Sequence, residues 1–138
     1  MAEFVEATEL AHSFESPIDD LAATAAVFLG LVEDPSATHR GFLALWGSAV
    51  VDPDLRARMA ALDQSLRSRL SRLVRQGVED GVLQGSVDPD AFAVGFLGQL
   101  RGVALQYLIE PGGVDLELVA ADIERSLRLI GMRPAAVH

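Results

Sequence analysis

The sequence contains no cysteine, which excludes a disulfide scaffold, a thiolate metal site and a cysteine nucleophile, and fits a reducing, cytoplasmic setting. Lysine and asparagine are absent too, while Ala, Gly, Val, Leu and Arg are abundant, the composition that a high-GC bacterial genome writes. Arginine supplies all 11 basic residues against 20 Asp and Glu. With a formal charge of −9, unaided binding to a nucleic acid or an anionic membrane surface is disfavoured. The opening Met1-Ala2-Glu3-Phe4-Val5-Glu6 is acidic where a signal peptide carries positive charge, so no export is expected.

Catalytic signatures are also missing. There is no G-x-S-x-G elbow, no P-loop and no G-x-G-x-x-G after a strand, and His12, His39 and His138 lie far apart in the chain. His12 with Glu15 is a lone i,i+3 pair with no companion motif. No enzyme activity, metal or cofactor is expected. No segment sustains period-2 alternation of β-branched residues, which excludes a sheet and leaves an all-α chain.

What is present is a single domain's worth of apolar residues: 138 residues, 50% hydrophobic and 22% charged, read as one domain over 1–138. Ser16-Pro17, Asp34-Pro35, Asp52-Pro53 and Asp88-Pro89 each place a capping residue before a proline, and each predicts a helix start and the end of whatever preceded it. Leu55, Met59, Leu62, Leu66, Leu70 and Leu73 predict a long amphipathic helix from Pro53 to about Asp80, stopped by Gly81. Leu116, Val119, Ile123, Leu127 and Ile130 repeat the pattern behind a cap at Asp115. With helices around Phe4 to Phe14, Pro17 to Glu33, Pro35 to Val51 and Pro89 to Ile109, the count is about six.

The segment from Pro89 to Ile109 is apolar on every side, which predicts a helix covered on every side. A transmembrane reading is disfavoured by Arg101 near its centre, and the flanking acids give no positive-inside signal. Phe92, Phe96, Leu100, Val103 and Tyr107 fall on one face; Gly95, Gly98 and Gly102 fall on another with Leu105 and Ile109. The glycines would admit a close neighbour, either a helix of a second subunit or a helix of the same chain. Since six helices have little material to cover one completely, a homodimer is expected. Arg101, the only charge between Asp90 and Glu110, is expected to pair with a carboxylate or sit at an edge.

An apolar pocket is expected among Phe28, Phe42, Trp46, Met59, Leu62, Leu66, Phe92, Phe96, Val103 and Tyr107, with His39 as a polar anchor; Gln99 and Gln106 flank the aromatic face and, if buried, need partners, of which a ligand could be one. The same residues could equally be plain core. The six arginines from Arg56 to Arg75 flank the leucine stripe on more than one side and are read as solvated, their stems covering apolar neighbours.

From Asp34 to Gly131 the chain resembles the C-terminal domain of the tetracycline-repressor (TetR) family of bacterial transcriptional regulators. The likeness rests on an ordered set. Glu33-Asp34-Pro35 with Phe42-Leu43-Ala44-Leu45-Trp46 is followed by Asp52-Pro53-Asp54-Leu55-Arg56. Gln76-Gly77-Val78-Glu79-Asp80-Gly81-Val82-Leu83, Val87-Asp88-Pro89-Asp90-Ala91 and Leu97-Gly98-Gln99-Leu100-Arg101-Gly102-Val103-Ala104-Leu105-Gln106-Tyr107-Leu108 complete it. The resemblance implies a cytoplasmic homodimer in which the last two long helices of each subunit form a four-helix interface, here Gly95, Gly98, Gly102, Leu105 and Ile109 with Leu116, Val119, Ile123, Leu127 and Ile130. It implies a small hydrophobic effector bound among the other helices, and no cofactor. Family members begin with a three-helix DNA-reading domain, and the residues before Pro17 supply one helix at most, so this chain is not expected to bind DNA itself. It reads as the sensor half of a regulator, or alternatively as a stand-alone heterodimer partner or small-molecule binder without a reading head.

Overall fold

Three aspartates set the boundaries of the helices that matter most. The computed structural model describes residues 16–34 and 37–131, without the side chains of residues 37–40 and 42; the expected first helix around Phe4 to Phe14, the junction at Pro35 and the side chains of His39 and Phe42 lie outside the described residues. Within them the order is α1 (Pro17–Glu33), α2 (Ala37–Ala49), α3 (Pro53–Glu79), α4 (Pro89–Ile109), a 3-10 turn (Pro111–Gly113) and α5 (Leu116–Leu129). The Asp52 carboxylate accepts from the backbone N–H groups of Asp54 and Leu55 at 3.1 and 3.2 Å, Asp88 from Ala91 at 2.9 Å, and Asp115 from Leu118 at 3.1 Å. Each satisfies donors that a helix start leaves open. Ser16 makes no side-chain cap; its carbonyl accepts from the Asp20 N–H at 2.9 Å. All five helices confirm the all-α reading.

α3 ends where the Asp80-Gly81 pair predicts. Gly81 takes φ +74°, a left-handed conformation open to glycine at little cost, and the N–H groups of Val82 and Leu83 turn back onto the Gly77 carbonyl at 2.9 and 3.0 Å. This drops Leu83, 1% exposed, against the last turn of α3. Gln84 then reaches the far end of the chain: its N–H bonds the Ile130 carbonyl and its side-chain amide donates to the Leu129 carbonyl, both at 3.0 Å. The link between the two long helices thus closes the C-terminus of α5.

One core holds α1, α3, α4 and α5 together, with Leu21, Ala25 and Leu29 facing Leu66, Leu70 and Val74, Phe96, Leu97 and Leu100, and Ile123 and Leu127. A smaller cluster of Val32, Leu43 and Ala104, with Phe28, Tyr107 and Leu108 beside it, seats α2. α3 and α4 run antiparallel, since Ser71 meets Asp90 at one end and Asp63 meets Arg101 further along. α1 and α5 are pinned at the surface by Arg128, which donates to Glu124 at 2.8 Å and Asp19 at 3.2 Å. Those two carboxylates, Glu124 first, hold the guanidinium above its ordinary pKa, although an exposed bridge of this kind adds little to stability.

α4 departs from expectation. Ala93, Phe96, Leu97, Leu100 and Ala104 are buried, but Val94, Gly95, Gly98, Leu105 and Ile109 are exposed. The described residues cover one side of this helix, not all of it. An added Cβ at Gly95, Gly98 or Gly102 would meet no atom within 4 Å, so no helix crossing within the described residues uses these glycines.

Gly77 is different: a Cβ there would lie 2.7 Å from Leu83 Cδ1 and 3.3 Å from Pro17 Cβ. Gly77→Ala is expected to destabilise the domain by about 1–3 kcal/mol through overpacking. Gly30→Ala, with open space at its Cβ, should instead raise stability by up to about 1 kcal/mol through helix propensity. Urea denaturation of the two variants checks both signs.

Candidate effector groove and the outer face of α4

A lone acid and a lone charge on neighbouring helices organise the site. Asp63 is the only acid on α3 between Asp54 and Glu79, and Arg101 is the only charge on α4 between Asp90 and Glu110. The antiparallel packing brings them together as a two-point pair: Arg101 Nη1 donates to Asp63 Oδ2 at 2.9 Å and Nη2 donates to Oδ1. With side chains 21% and 17% exposed, the pair is shielded enough for both hydrogen bonds to count. The same guanidinium lies over the Trp46 ring, 4.0 Å from its centre, a cation–π contact that adds α2 to the arrangement. One arginine therefore ties together three helices, and the expectation that it pairs with a carboxylate holds.

Beside this triad, Trp46, Ala49, Val50, Met59 and Ala60 form the apolar wall of a groove of about 380 Å³, with Asp63, Arg56 and Arg67 as its polar part. Arg56 is occupied: it donates to the carbonyls of Val50 and Ala49 at 2.6 and 3.4 Å, closing the corner between α2 and α3. Arg67 is half-buried. A second groove, of about 250 Å³, runs between α4 and α5 past Phe92, Gly95, Phe96, Gln99, Ile123 and Leu127; Phe92 and Phe96 stack there with ring centres 5.5 Å apart. A third, of about 480 Å³, lies between α3 and α4 and is polar, with Arg67, Ser68, Ser71, Arg72, Arg75 and Asp90 among its walls.

The residues expected to form one pocket are thus divided. Trp46 and Met59 share the first groove, and Phe92, Phe96 and Gln99 share the second. Leu66 is buried in the main core, with Leu62, Val103 and Tyr107 packed against it. Phe28 and Tyr107 pack around the smaller cluster. Gln99 and Gln106 are exposed and have no need of a buried partner. Asp63 and Arg67 were not foreseen as groove residues; the lone acid on α3 and the lone charge on the apolar α4 were the available signal for Asp63.

The interface residues expected on the last helix are also placed differently. Leu116, Ile123 and Leu127 are buried inside the chain, and Val119 and Ile130 are half-buried against the same core. α5 presents Leu118 and Leu129 outward instead. On α4, by contrast, Gly95, Gly98, Leu105 and Ile109 do lie outside and Gly102 is partly open. By length and composition α4 could cross a membrane, but its paired Arg101 and buried inward face are those of a core helix in a helical bundle.

A five-helix bundle of this order is that of the C-terminal domain of TetR-family transcriptional regulators. The family model for the BetI-type transcriptional repressor, C-terminal, matches residues 17–131, and the chain belongs to that family. Among solved structures, a Rhodococcus sp. protein assigned to the TetR family of transcriptional regulators shares the fold, with a TM-score of 0.75 over 96% of this chain and 72% of that one at 18% sequence identity. No curated protein matches.

Removing one member of the triad leaves a shielded charge without its partner. Asp63→Asn is expected to cost about 1–3 kcal/mol in urea denaturation. The double variant Asp63→Leu with Arg101→Met should lose less than the sum of its two single variants; strict additivity would show that the pair is not coupled.

Proposed function

We propose that this domain is the sensing and pairing part of a TetR-type bacterial regulator: a small apolar effector enters the groove beside Trp46, and the outer face of α4 joins a second copy. The observation that carries the reading is the position of Arg101. It belongs to α4, where it stands one turn from the exposed Gly98 and Leu105 and two turns from the exposed Val94 and Ile109, at the edge of the outer face, and it rests on Trp46, which walls the groove. A molecule that shifts Trp46 changes the contact of the guanidinium, and with it the position of α4. Coupling of this kind needs only that the effector prefer one arrangement of Trp46, Arg101 and Asp63 over another.

The outer face supports pairing on its own terms. Fully covering a side chain such as Leu105 or Ile109 is worth about 1.5–3 kcal/mol, and glycines with open Cβ positions allow a facing helix to approach closely. Neither part requires chemistry, so the domain acts by binding and not by catalysis. DNA reading and cytoplasmic location follow from the regulator to which such a domain belongs, the reading itself being the task of another domain.

Trp46 is the only tryptophan in the chain and reports on its own groove. Titration with N-phenyl-1-naphthylamine, an uncharged apolar fluorophore, should quench Trp46 emission saturably by energy transfer. Met59→Glu should weaken that binding at least about ten-fold. Unsaturable quenching, or equal binding by Met59→Glu, would remove the effector from this groove.

A further inference from the structure

The groove between α3 and α4 carries charge of the wrong sign for a chain of −9. We infer that it is a binding site for a small oxyanion, a carboxylate or a phosphate, held by Arg67 together with Arg72 and Arg75. This goes beyond the effector groove, which it meets only at Arg67.

Arg67, Ser71 and Arg75 recur every four residues and so form one row along α3, with Ser68 and Arg72 on the next row. All five line the groove. Its one carboxylate, Asp90, is already answered from within the wall: it accepts from the Ser71 hydroxyl and lies 3.7 Å from Arg75. Arg72 spends only its Nε, on the carbonyl of Ser68 at 3.4 Å, and keeps its outer nitrogens available. Arg67 is the informative residue. It is half-buried, yet among the described residues it makes no hydrogen bond or ion pair.

The contrast with Arg101 gives that vacancy its meaning. Both are half-buried arginines on neighbouring helices; Arg101 is matched at two points by Asp63, whereas Arg67 faces a groove with room for a ligand. The Arg67 guanidinium spends no donor on the described residues while its residue lines the groove, and its planar fork of donors matches a carboxylate or phosphate with two parallel hydrogen bonds. Arg72 adds a second charge at the rim.

Calorimetric titration at low chloride with inorganic phosphate and, separately, with succinate tests the site. Saturable binding of at least one is expected, weakening as sodium chloride is added. The anion that binds more tightly identifies which chemistry the site takes. Arg67→Gln should weaken binding about ten-fold, and Arg67→Lys should recover part of the loss. Arg58→Gln, an exposed arginine of the same helix outside the groove, should leave binding unchanged. Circular dichroism of the variants should match the parent, since Arg67 ties no other element. Failure of both anions to saturate, or an equal loss in Arg58→Gln, would overturn the inference and reduce the effect to general attraction toward an arginine-rich helix.

Discussion

The structure turns on a helix that is apolar all round and that the described residues cover on one side. α4 contributes Phe96, Leu97 and Leu100 to the core, yet carries Val94, Leu105 and Ile109 at 56%, 47% and 83% exposure on its other side. Exposed apolar side chains scattered singly need no explanation, but several on one face of one helix, interleaved with glycines, make a contiguous apolar patch of the kind that interaction surfaces present. The rest of the domain is arranged around this helix: α3 packs antiparallel along it, α1 crosses to reach both α3 and α5, and α2 is seated at its C-terminal half through Ala104.

A helix with so little polar surface has few means of fixing its rotation and register, and Arg101 supplies one. Its two-point bond to Asp63 sets α4 against α3, and its contact with Trp46 sets both against α2. The same three residues separate the inner and outer sides of the domain. Trp46 and Asp63 line a groove, while the helix that bears Arg101 presents the unpartnered face. The groove and the exposed face are thereby brought within one side chain's length of each other.

Much of this was legible in the residues, for identifiable reasons. The Asp-Pro pairs at 52–53 and 88–89 combine a cap with a residue that only a helix start tolerates, and they mark α3 and α4 correctly. The Asp80-Gly81 stop and the cap at Asp115 were legible in the same way. What the pattern could not convey was which neighbour covers which face. The stripe of Leu116, Ile123 and Leu127 is equally suited to a partner subunit and to the chain's own core, and the core takes it. Aromatic residues at helical spacing likewise do not distinguish a cavity wall from filling, which is why Phe96 and Leu66 lie in the core while Trp46 and Met59 wall a groove. Pairings across long stretches of chain, such as Asp63 with Arg101, leave only a faint mark: a lone acid on an arginine-rich helix and a lone charge on an apolar one.

The absence of cysteine makes the outer face directly accessible to measurement. Leu105→Cys introduces the chain's only thiol into the middle of the exposed stripe, and Gly30→Cys introduces one on the exposed side of α1. Treated with a short bismaleimide at micromolar concentration, Leu105→Cys should form a covalent dimer rapidly and in high yield, while Gly30→Cys stays monomeric. Equal and slow cross-linking of the two variants, or none at Leu105, would show that the outer face of α4 does not meet a second copy and would contradict the account at its centre.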